Sequence, residues 1–236
     1  MLVNQRPILA LIPARGGSKG LKRKNMYPVN NIPLVGYSLK AALDSKYIDK
    51  VYLTSDDETT LLYGKEMGAK PILRPEELSS DTASASSVVE HFFNFLPYDL
   101  LKQDPFVVYL QPTSPLRTSI HIDSALAKMI EQRHTKLVSV VQMSKTPFKS
   151  FFLNKHGTLQ SLFNEEMTNQ RRQDLPTVYT ANGAIYIFCW SDFKQHKIFP
   201  SNDSYPYIMS EQDSLDIDTK EDLLLFKELI NFNQKE

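Results

Sequence analysis

A glycine-rich, basic segment near the start of the chain has the composition of a polyphosphate-binding loop. The segment runs Pro13-Ala-Arg-Gly-Gly-Ser-Lys-Gly20, and Lys22 and Lys24 follow it. Glycines let a backbone bring its N–H groups close to an anion, and the basic side chains offset the phosphate charge. The spacing matches neither a Walker loop nor the dinucleotide-binding fingerprint. The segment therefore indicates a phosphate site of another kind, and the alternative is a solvated turn with scattered charges.

Two carboxylates one residue apart, Asp216 and Asp218, lie near the other end of the sequence. In an extended segment such residues project from the same face. Magnesium prefers one or two carboxylates together with phosphate oxygens and water, so the pair would complement the basic loop. An alternative is that Asp218 caps a helix, because Thr219 and the acidic residues after it resemble a helix start.

A third segment, Gln111-Pro-Thr-Ser-Pro-Leu-Arg117, follows an apolar run and combines an amide, two hydroxyls and a guanidinium. These groups suit a polyhydroxylated acidic ligand such as a sugar acid. Two prolines stiffen the segment, so a purely structural turn between a strand and a helix is the alternative.

The elements that must position these segments alternate between strands and helices. Short apolar runs predict strands at 8–12, 51–54, 106–110, 137–141 and 183–188. Helical periodicity and end signals predict one helix that begins after Pro33 and a second helix that ends near Met67. Three further helices are predicted at 84–95, 120–131 and 220–231. The alternation is typical of a doubly wound α/β fold with a mainly parallel sheet, whose ligands bind at the carboxyl ends of the strands.

The regular pattern weakens between residues 145 and 180, which carry prolines, a glycine and several large apolar side chains. Those apolar residues need cover, and a partner subunit could supply it. We predict one domain over residues 1–236 with a dimerisation insertion at 145–180. Its apolar residues are Phe148, Phe151, Phe152, Leu153, Leu159, Leu162 and Phe163.

The overall composition excludes several classes of function. Lysine plus arginine and aspartate plus glutamate both number 27, so there is no global field to hold nucleic acid or an anionic membrane. The single cysteine, Cys189, lies in an apolar run and is expected to be a buried thiol. Neither a signal peptide nor a membrane span is visible, which predicts a cytoplasmic location.

Six segments in order along nearly the whole chain resemble the acylneuraminate cytidylyltransferases, or CMP-sialic acid synthetases. They are I-P-A-R-G-G-S-K-G at 12–20 with K-N at 24–25, L-R-P-E-E-L-S-S-D-T-A-S at 73–84, L-Q-P-T-S-P-L-R at 110–117, R-Q-D-L-P at 172–176, N-G-A-I-Y-I at 182–187 and Q-D-S-L-D-I-D-T at 212–219. The resemblance implies a Rossmann-like nucleotide-diphospho-sugar transferase fold. It also implies transfer of CMP from CTP to the anomeric hydroxyl of a nonulosonic acid, preferably N-acetylneuraminate, with release of pyrophosphate.

The same resemblance implies roles for individual residues. The implied CTP-binding residues are Ala14, Arg15, Ser18, Lys24, Asn25, Arg74, Ala83 and Ser84. The implied sugar-binding residues are Gln111, Thr113, Ser114, Lys149, Arg172, Asn182, Tyr186 and Phe199, with Lys149 and Arg172 coming from the neighbouring subunit. Asp216 and Asp218 would hold Mg²⁺, and the implied catalytic residues are Arg15, Lys24 and Asp218, the last also helping to deprotonate the attacking hydroxyl. A homodimer with shared active sites would result.

Three alternatives to this function stay open at the level of sequence. Legionaminic or pseudaminic acid could replace N-acetylneuraminate, since Phe199 is followed by Pro200 where family members that use N-acetylneuraminate often carry an aromatic pair. The shorter acid 3-deoxy-manno-octulosonate is disfavoured by the segments at 172–176 and 182–187. A non-catalytic nucleotide-binding protein is disfavoured by the presence of both aspartates together with Lys24.

Overall fold

The computed structural model describes residues 6–17, 21, 23–80 and 82–233. Ser18, one of the predicted CTP-binding residues, lies outside the described residues. The strands are β1 (Ile8–Pro13), β2 (Pro28–Val29), β3 (Ile32–Pro33), β4 (Lys50–Ser55), β5 (Lys70–Leu73), β6 (Phe106–Tyr109), β7 (Lys136–Gln142), β8 (Phe151–Leu153), β9 (Leu159–Ser161), β10 (Tyr179–Cys189) and β11 (Tyr205–Met209). The helices are α1 (Leu34–Leu43), α2 (Glu58–Glu66), α3 (Ala85–Phe95), α4 (Tyr98–Leu101), α5 (Ser119–Glu131), α6 (Glu165–Asn169), α7 (Trp190–His196) and α8 (Lys220–Asn233).

Seven strands form one mixed sheet in the order β11-β7-β10-β6-β1-β4-β5. β1 lies in the interior of the sheet and pairs in parallel with β4 and β6, so that Leu11 lies opposite both Tyr52 and Tyr109. The carboxyl ends of these three strands therefore lie side by side at the same end of the sheet, as the alternating pattern predicts. The mainly parallel, doubly wound class is confirmed.

One strand departs from the predicted parallel pairing. β10 runs antiparallel to both β6 and β7, with Tyr179 opposite Gln142 at the end where β7 finishes. A parallel neighbour needs a crossover that carries the chain back to the opposite end of the sheet. The segment between β7 and β10 contains only β8, β9, α6 and two short 3-10 turns, and it returns the chain to the same end. Parallel pairing was therefore the wrong prediction for β10.

Both faces of the sheet are buried, which explains why β1 is a continuous apolar run. Ala10 and Ile12 point to a cluster packed by α1 and α5, whereas Leu9 and Leu11 point to an aromatic cluster packed by α3 and α7. A third cluster fastens the start of α8 beneath the loop that follows β1. It consists of Leu21, Val29, Leu34, Ile217, Leu223 and Phe226.

The predicted insertion at 145–180 contains the β8–β9 hairpin, α6 and two short 3-10 turns. Its large apolar side chains are exposed in the single chain, including Phe151, Leu153 and Leu159. Its role in dimerisation stays a prediction. Within the described part of the chain, no helix is both long enough and apolar enough to cross a membrane.

Candidate active site

A cavity of about 370 Å³ opens at the carboxyl ends of β1 and β6. The loop after β1, the segment after β5, the start of α3, the loop after β6 and the segment before α8 all contribute to its wall. The lining residues are Pro13, Arg15, Gly17, Lys24, Asn25, Arg74, Leu78, Ser80, Ala83, Ser84, Ala85, Val88, Tyr109, Gln111, Pro112, Thr113, Asp216 and Asp218. The cavity thus joins all three segments in which the sequence places chemistry.

The described part of the glycine-rich loop is held at both ends. The buried Ala14 donates its N–H to the carbonyl oxygen of Thr54 at 2.9 Å, which extends the pairing of β1 with β4. The Asn25 side chain donates from Nδ2 to the carbonyl oxygen of Arg15 at 2.9 Å. Ala14 therefore supports the loop from behind, whereas Arg15 and Asn25 line the cavity.

Lys24 connects this loop to the aspartate pair nearly two hundred residues later. Its Nζ donates to the carbonyl oxygen of Ile217 at 2.7 Å and to Oδ1 of Asp218 at 2.9 Å. The lysine side chain is only 12% exposed, whereas that of Asp218 is 74% exposed. The ammonium group is therefore held within the wall while the carboxylate stays open to an incoming ligand.

The two aspartates flank a buried anchor, as the alternation of an extended segment predicts. Ile217 is fully buried, and its N–H donates to the carbonyl oxygen of Thr113 at 2.8 Å. Asp216 and Asp218 both line the cavity. Partial burial raises the pKa of Asp216, and the negative charge of Asp218 raises it further, although a hydrogen bond with the Thr113 side chain opposes both effects. Two carboxylates that repel each other in one cavity are a favourable place for a cation.

The alternative role of Asp218 as a helix cap is wrong, because other residues cap α8. The hydroxyl of Thr219 accepts from the N–H of Asp222 at 3.2 Å, and the Asp222 carboxylate accepts from the N–H of Thr219 at 2.7 Å. This reciprocal pair is a capping box. The carboxylate of Asp218 instead contacts Lys24 and stays available to the cavity.

Arg74 is a nearly buried arginine whose side chain faces the cavity with carbonyl partners only. It is 5% exposed and donates to the carbonyl oxygens of Thr54 at 3.3 Å and Leu78 at 3.4 Å. Among the described residues its Nε has no hydrogen-bond partner. Burial lowers the pKa of Arg74. A buried cation with unused donor capacity suits an anionic or carbonyl-bearing ligand.

The loop after β6 divides into ligand-facing and supporting residues. Gln111 and Thr113 line the cavity, whereas Ser114 is fully buried and donates from Oγ to the carbonyl oxygen of Asn182 at 3.3 Å. Arg117 is 1% exposed and donates to the Ser38 hydroxyl at 2.6 Å. Burial lowers the pKa of Arg117 to about 9, so the side chain stays charged at neutral pH.

The sequence-based suggestion that this guanidinium recognises a ligand is therefore wrong. Arg117 lies behind the loop and also donates to the carbonyl oxygens of Gln111 and Ala184, both at 3.3 Å. These bonds fasten the loop after β6 to β10 and α1. Arg117 supports Gln111 from behind rather than touching the cavity.

Asn182 also supports the site from behind, since its side chain forms hydrogen bonds with other protein side chains. Its Oδ1 accepts from the Ser139 hydroxyl at 2.6 Å, and its Nδ2 donates to the Ser214 hydroxyl at 2.9 Å. The pairing of β10 with β7 is irregular here, between Ala181 and Tyr186. The asparagine therefore fastens this irregular stretch to β7 and to the turn that precedes Asp216.

A sequence model described as cytidylyltransferase matches residues 9–235, which include every part of this cavity. The chain belongs to the cytidylyltransferase family. It is 36% identical over 231 residues to the N-acylneuraminate cytidylyltransferase of Escherichia coli O18:K1:H7, which covers 97% of this chain and 52% of that protein. It is 32% identical over 228 residues to the pseudaminic acid cytidylyltransferase of Campylobacter jejuni, covering 96% and 97% of the two chains. The chain spans about half the length of the curated N-acylneuraminate relatives from Escherichia coli and Streptococcus agalactiae that it matches.

Solved structures confirm the fold of the chain. CMP:2-keto-3-deoxy-manno-octonic acid synthetase complexed with CTP superposes with a TM-score of 0.72 at 14% identity, covering 96% and 99% of the two chains. The 4-diphosphocytidyl-2C-methyl-D-erythritol synthase of Anaerococcus prevotii superposes with a TM-score of 0.65 at 13% identity, covering 98% of each. Both likenesses concern the architecture.

Gly183 has a conformation that a side chain would disturb, which gives a testable prediction. Its φ is +75°, and an added Cβ would lie 2.5 Å from Oε1 of Gln111. Gly183→Ala is expected to destabilise the protein by about 1–2 kcal/mol through its backbone alone. It should also displace Gln111 from the cavity and raise the KM for a substrate that contacts Gln111. Urea denaturation and steady-state kinetics measure the two effects.

Gly157 is the matched control for this substitution. Its φ is also +75°, but nothing lies within 4 Å of an added Cβ. Gly157→Ala should therefore show the backbone cost without the kinetic effect. If the two variants have the same KM for that substrate, a side chain at position 183 does not displace Gln111.

The aromatic residues predicted to bind the sugar, Tyr186 and Phe199, lie beside the cavity and do not form its wall. The rings of Tyr186 and Phe199 have centroids 4.6 Å apart, and Phe199 contacts Tyr109 with a centroid distance of 4.9 Å. Tyr109 lines the cavity, and sequence reasoning missed it. Its position at the end of a strand just before a candidate loop was the available signal. Burial raises the pKa of Tyr186, and the charge of Asp216 raises it further, which places the phenol near the aspartate pair.

Lys149 and Arg172 do not line the cavity of their own chain. Lys149 donates from Nζ to the carbonyl oxygen of Thr168 at 2.9 Å and to that of Gln170. Arg172 begins an exposed 3-10 turn in the insertion. The single chain brings neither residue to the site, so their predicted role requires a second copy.

Proposed function

We propose that this chain transfers CMP from CTP to the anomeric hydroxyl of a nonulosonic acid, with N-acetylneuraminate as the first candidate, and releases pyrophosphate. One observation carries the proposal. A single cavity joins the basic loop after β1, the buried Arg74, the polar loop after β6 and the aspartate pair. Family membership and similarity to enzymes named for N-acylneuraminate and pseudaminic acid support the same reaction.

The reaction needs a triphosphate and an acceptor hydroxyl held in line, with charge on the phosphoryl oxygens stabilised as bonds change. Arg15 and Lys24 supply cations on the side of the cavity formed by the loop after β1. Arg74 with Ala83 and Ser84 forms the wall that we assign to the nucleoside. Gln111 and Thr113 form the wall that we assign to the acceptor. Lys24 and Arg74 are already held by hydrogen bonds within the protein, so these two cations need little reorganisation during the reaction.

The aspartate pair has the donor chemistry that Mg²⁺ requires. Asp216 and Asp218 offer oxygen ligands in one cavity, where burial and then the charge of Asp218 raise the pKa of Asp216, so a cation bound there would favour its charged form. The described residues contain no cluster of three or more candidate metal ligands, so phosphate oxygens and water would complete the coordination. A bound Mg²⁺ would neutralise charge on the phosphate groups. Asp218 is also our candidate for accepting the proton of the attacking hydroxyl.

The same reaction on pseudaminic acid is the second candidate. The Campylobacter jejuni relative named for that sugar aligns along nearly the whole length of both chains. The Phe199-Pro200 sequence beside the acceptor wall also departs from the aromatic pair of many N-acetylneuraminate enzymes. Legionaminic acid is a further candidate acceptor.

The cytoplasmic location stays a prediction.

A pyrophosphate-release assay tests the proposal directly. The protein is incubated with CTP, Mg²⁺ and, separately, N-acetylneuraminic, legionaminic, pseudaminic or 3-deoxy-manno-octulosonic acid. Release with one of the first three supports the proposal and names the acceptor. Titration calorimetry with CTP and Mg²⁺ distinguishes a non-catalytic nucleotide-binding protein, which would bind CTP and release no pyrophosphate with any acid. If no acid gives pyrophosphate release and calorimetry detects no CTP binding, the proposed function is wrong.

We further propose a homodimer built on the β8–β9 hairpin. Phe151, Leu153 and Leu159 share one face of this hairpin, since Leu153 lies opposite Leu159 in the register. All three are exposed in the single chain, with Leu153 at 71% and Leu159 at 66%. An exposed apolar face of this kind is typical of an interface. A second copy would also bring Lys149 and Arg172 within reach of a neighbouring cavity.

Leu159→Asp is therefore expected to convert the dimer to monomers, because it places a charge in the apolar face. Sedimentation velocity measures the change. Gln160→Asp is the control, since residue 160 lies on the opposite face of the same hairpin. A monomeric wild-type chain, or equal dissociation by both substitutions, would contradict the proposed interface.

A further inference from the structure

An acidic turn directly after β4 contacts the glycine-rich loop on both sides of residues 17–22. The Gly16 N–H donates to Oδ1 of Asp56 at 2.9 Å. Beyond those residues, Arg23 donates from Nη2 to Oδ1 of Asp57 at 3.3 Å. Two consecutive carboxylates therefore hold the chain at Gly16, within the glycine-rich segment, and at Arg23, shortly after it.

The turn itself is rigid and packs closely against the loop. Asp57 is the N-cap of α2, and its Oδ2 accepts from the N–H of Thr60 at 3.0 Å and from its hydroxyl at 2.6 Å. Burial opposes ionisation of Asp57, but these bonds and the charge of Arg23 outweigh it and lower its pKa. An added Cβ on Gly16 would lie 2.9 Å from the Cβ of Asp57. The loop thus rests on a surface fixed by the start of a helix.

The placement of these carboxylates is unexpected for a site that binds an anion. Two negative charges near a triphosphate weaken its binding unless other groups compensate them. Asp57 is compensated by Arg23, and Asp56 accepts a backbone N–H and interacts with the charge of Arg74. Neither carboxylate lines the cavity. From this position the two carboxylates can support the loop but do not contact a ligand in the cavity.

We infer that Asp56 is a positioning residue that orients the glycine-rich loop for CTP through the Gly16 N–H, with the Asp57–Arg23 pair holding the far side of the loop. The inference rests on the proposed function. A loop that binds phosphate through backbone N–H groups works only when those groups already converge, because ordering them on binding costs free energy. The carboxylate fixes the Gly16 N–H and thereby the orientation of the peptide group between Arg15 and Gly16.

The test compares Asp56→Ala, Asp56→Asn and Glu58→Gln in the full chain. Asp56→Ala removes the acceptor and is expected to raise the KM for CTP about tenfold, the size of one charged hydrogen bond, with little change in the KM for the acceptor acid. Asp56→Asn retains a carbonyl acceptor and should stay within about twofold of wild type. Glu58→Gln removes a neighbouring exposed charge that makes no hydrogen bond or ion pair with the described residues of the loop, and it should match wild type.

The pattern of results decides the inference. An unchanged KM for CTP in Asp56→Ala, with wild type active, would overturn it and leave the proposed function intact. Equal effects of the alanine and asparagine variants would also overturn it, because charge rather than the hydrogen bond would then be responsible. If Asp56→Ala does not fold, Gly16→Ala displaces the loop from the turn and should raise the same KM. Wild-type protein that binds no CTP would instead refute the proposed function, and this inference with it.

Discussion

Replacing either Asp216 or Asp218 with alanine is expected to reduce the rate of pyrophosphate release by about a hundredfold to a thousandfold, the usual cost of removing one preorganised electrostatic group from an active site. The fully buried Ile217 fixes both residues, and their carboxylates share the cavity with Lys24 and Arg15. Each substitution leaves one carboxylate and should weaken Mg²⁺ binding. Turnover measured across magnesium concentrations should therefore show partial recovery at high Mg²⁺.

Glu221→Gln is the control for this experiment, because Glu221 is an exposed carboxylate in the first turn of α8 and does not line the cavity. It should retain wild-type turnover at every magnesium concentration. Near-normal activity in both aspartate variants would contradict the metal assignment. A loss that magnesium does not relieve in Asp218→Ala alone would favour a role in proton transfer over metal binding.

The sequence predicted the central elements of the fold better than its edges. β1, β4, β6 and β7 are short, mostly apolar runs, because their sheet is covered on both faces. The strands β5 and β11 were not predicted. Each lies at an edge of the sheet and contains a proline, Pro71 or Pro206, which edge strands tolerate because fewer of their N–H groups must pair. The direction of β10 depends on how the insertion returns the chain, which local periodicity does not encode.

Residue types predicted the site more reliably than the direction of each side chain. Arg15, Lys24 and the aspartate pair meet in one cavity, as their chemistry indicated, and Arg74, which only the family resemblance implied, lies there as well. Ser114, Arg117 and Asn182 belong to the same motifs, yet their polar atoms bond inside the protein. A buried polar group must find a partner, so the supporting layer behind a site is as polar as the surface facing the ligand. Sequence alone does not separate these two layers.

Lys24→Met is expected to lower kcat/KM for CTP by about a hundredfold, because it removes a cation fixed between the loop and the aspartate pair. The side chain is nearly buried, and methionine keeps much of its apolar stem in place. Thermal stability should change little compared with activity. Lys50→Met is the matched control, since Lys50 is exposed at the amino end of β4, away from the cavity. An equal loss of activity in both variants would contradict a local role for Lys24.

The contact between Lys24 and Asp218 makes a sharper prediction for the double variant. Nζ of Lys24 lies 2.9 Å from Oδ1 of Asp218, so each single substitution also disturbs the partner of the residue removed. Residues in direct contact generally couple by about 0.5–3 kcal/mol, so Lys24→Met with Asp218→Ala should lose less activity than the product of the single effects. Strict additivity would show that the two groups act on separate parts of the reaction. Coupling would show that the loop after β1 and the segment before α8 act as one catalytic unit.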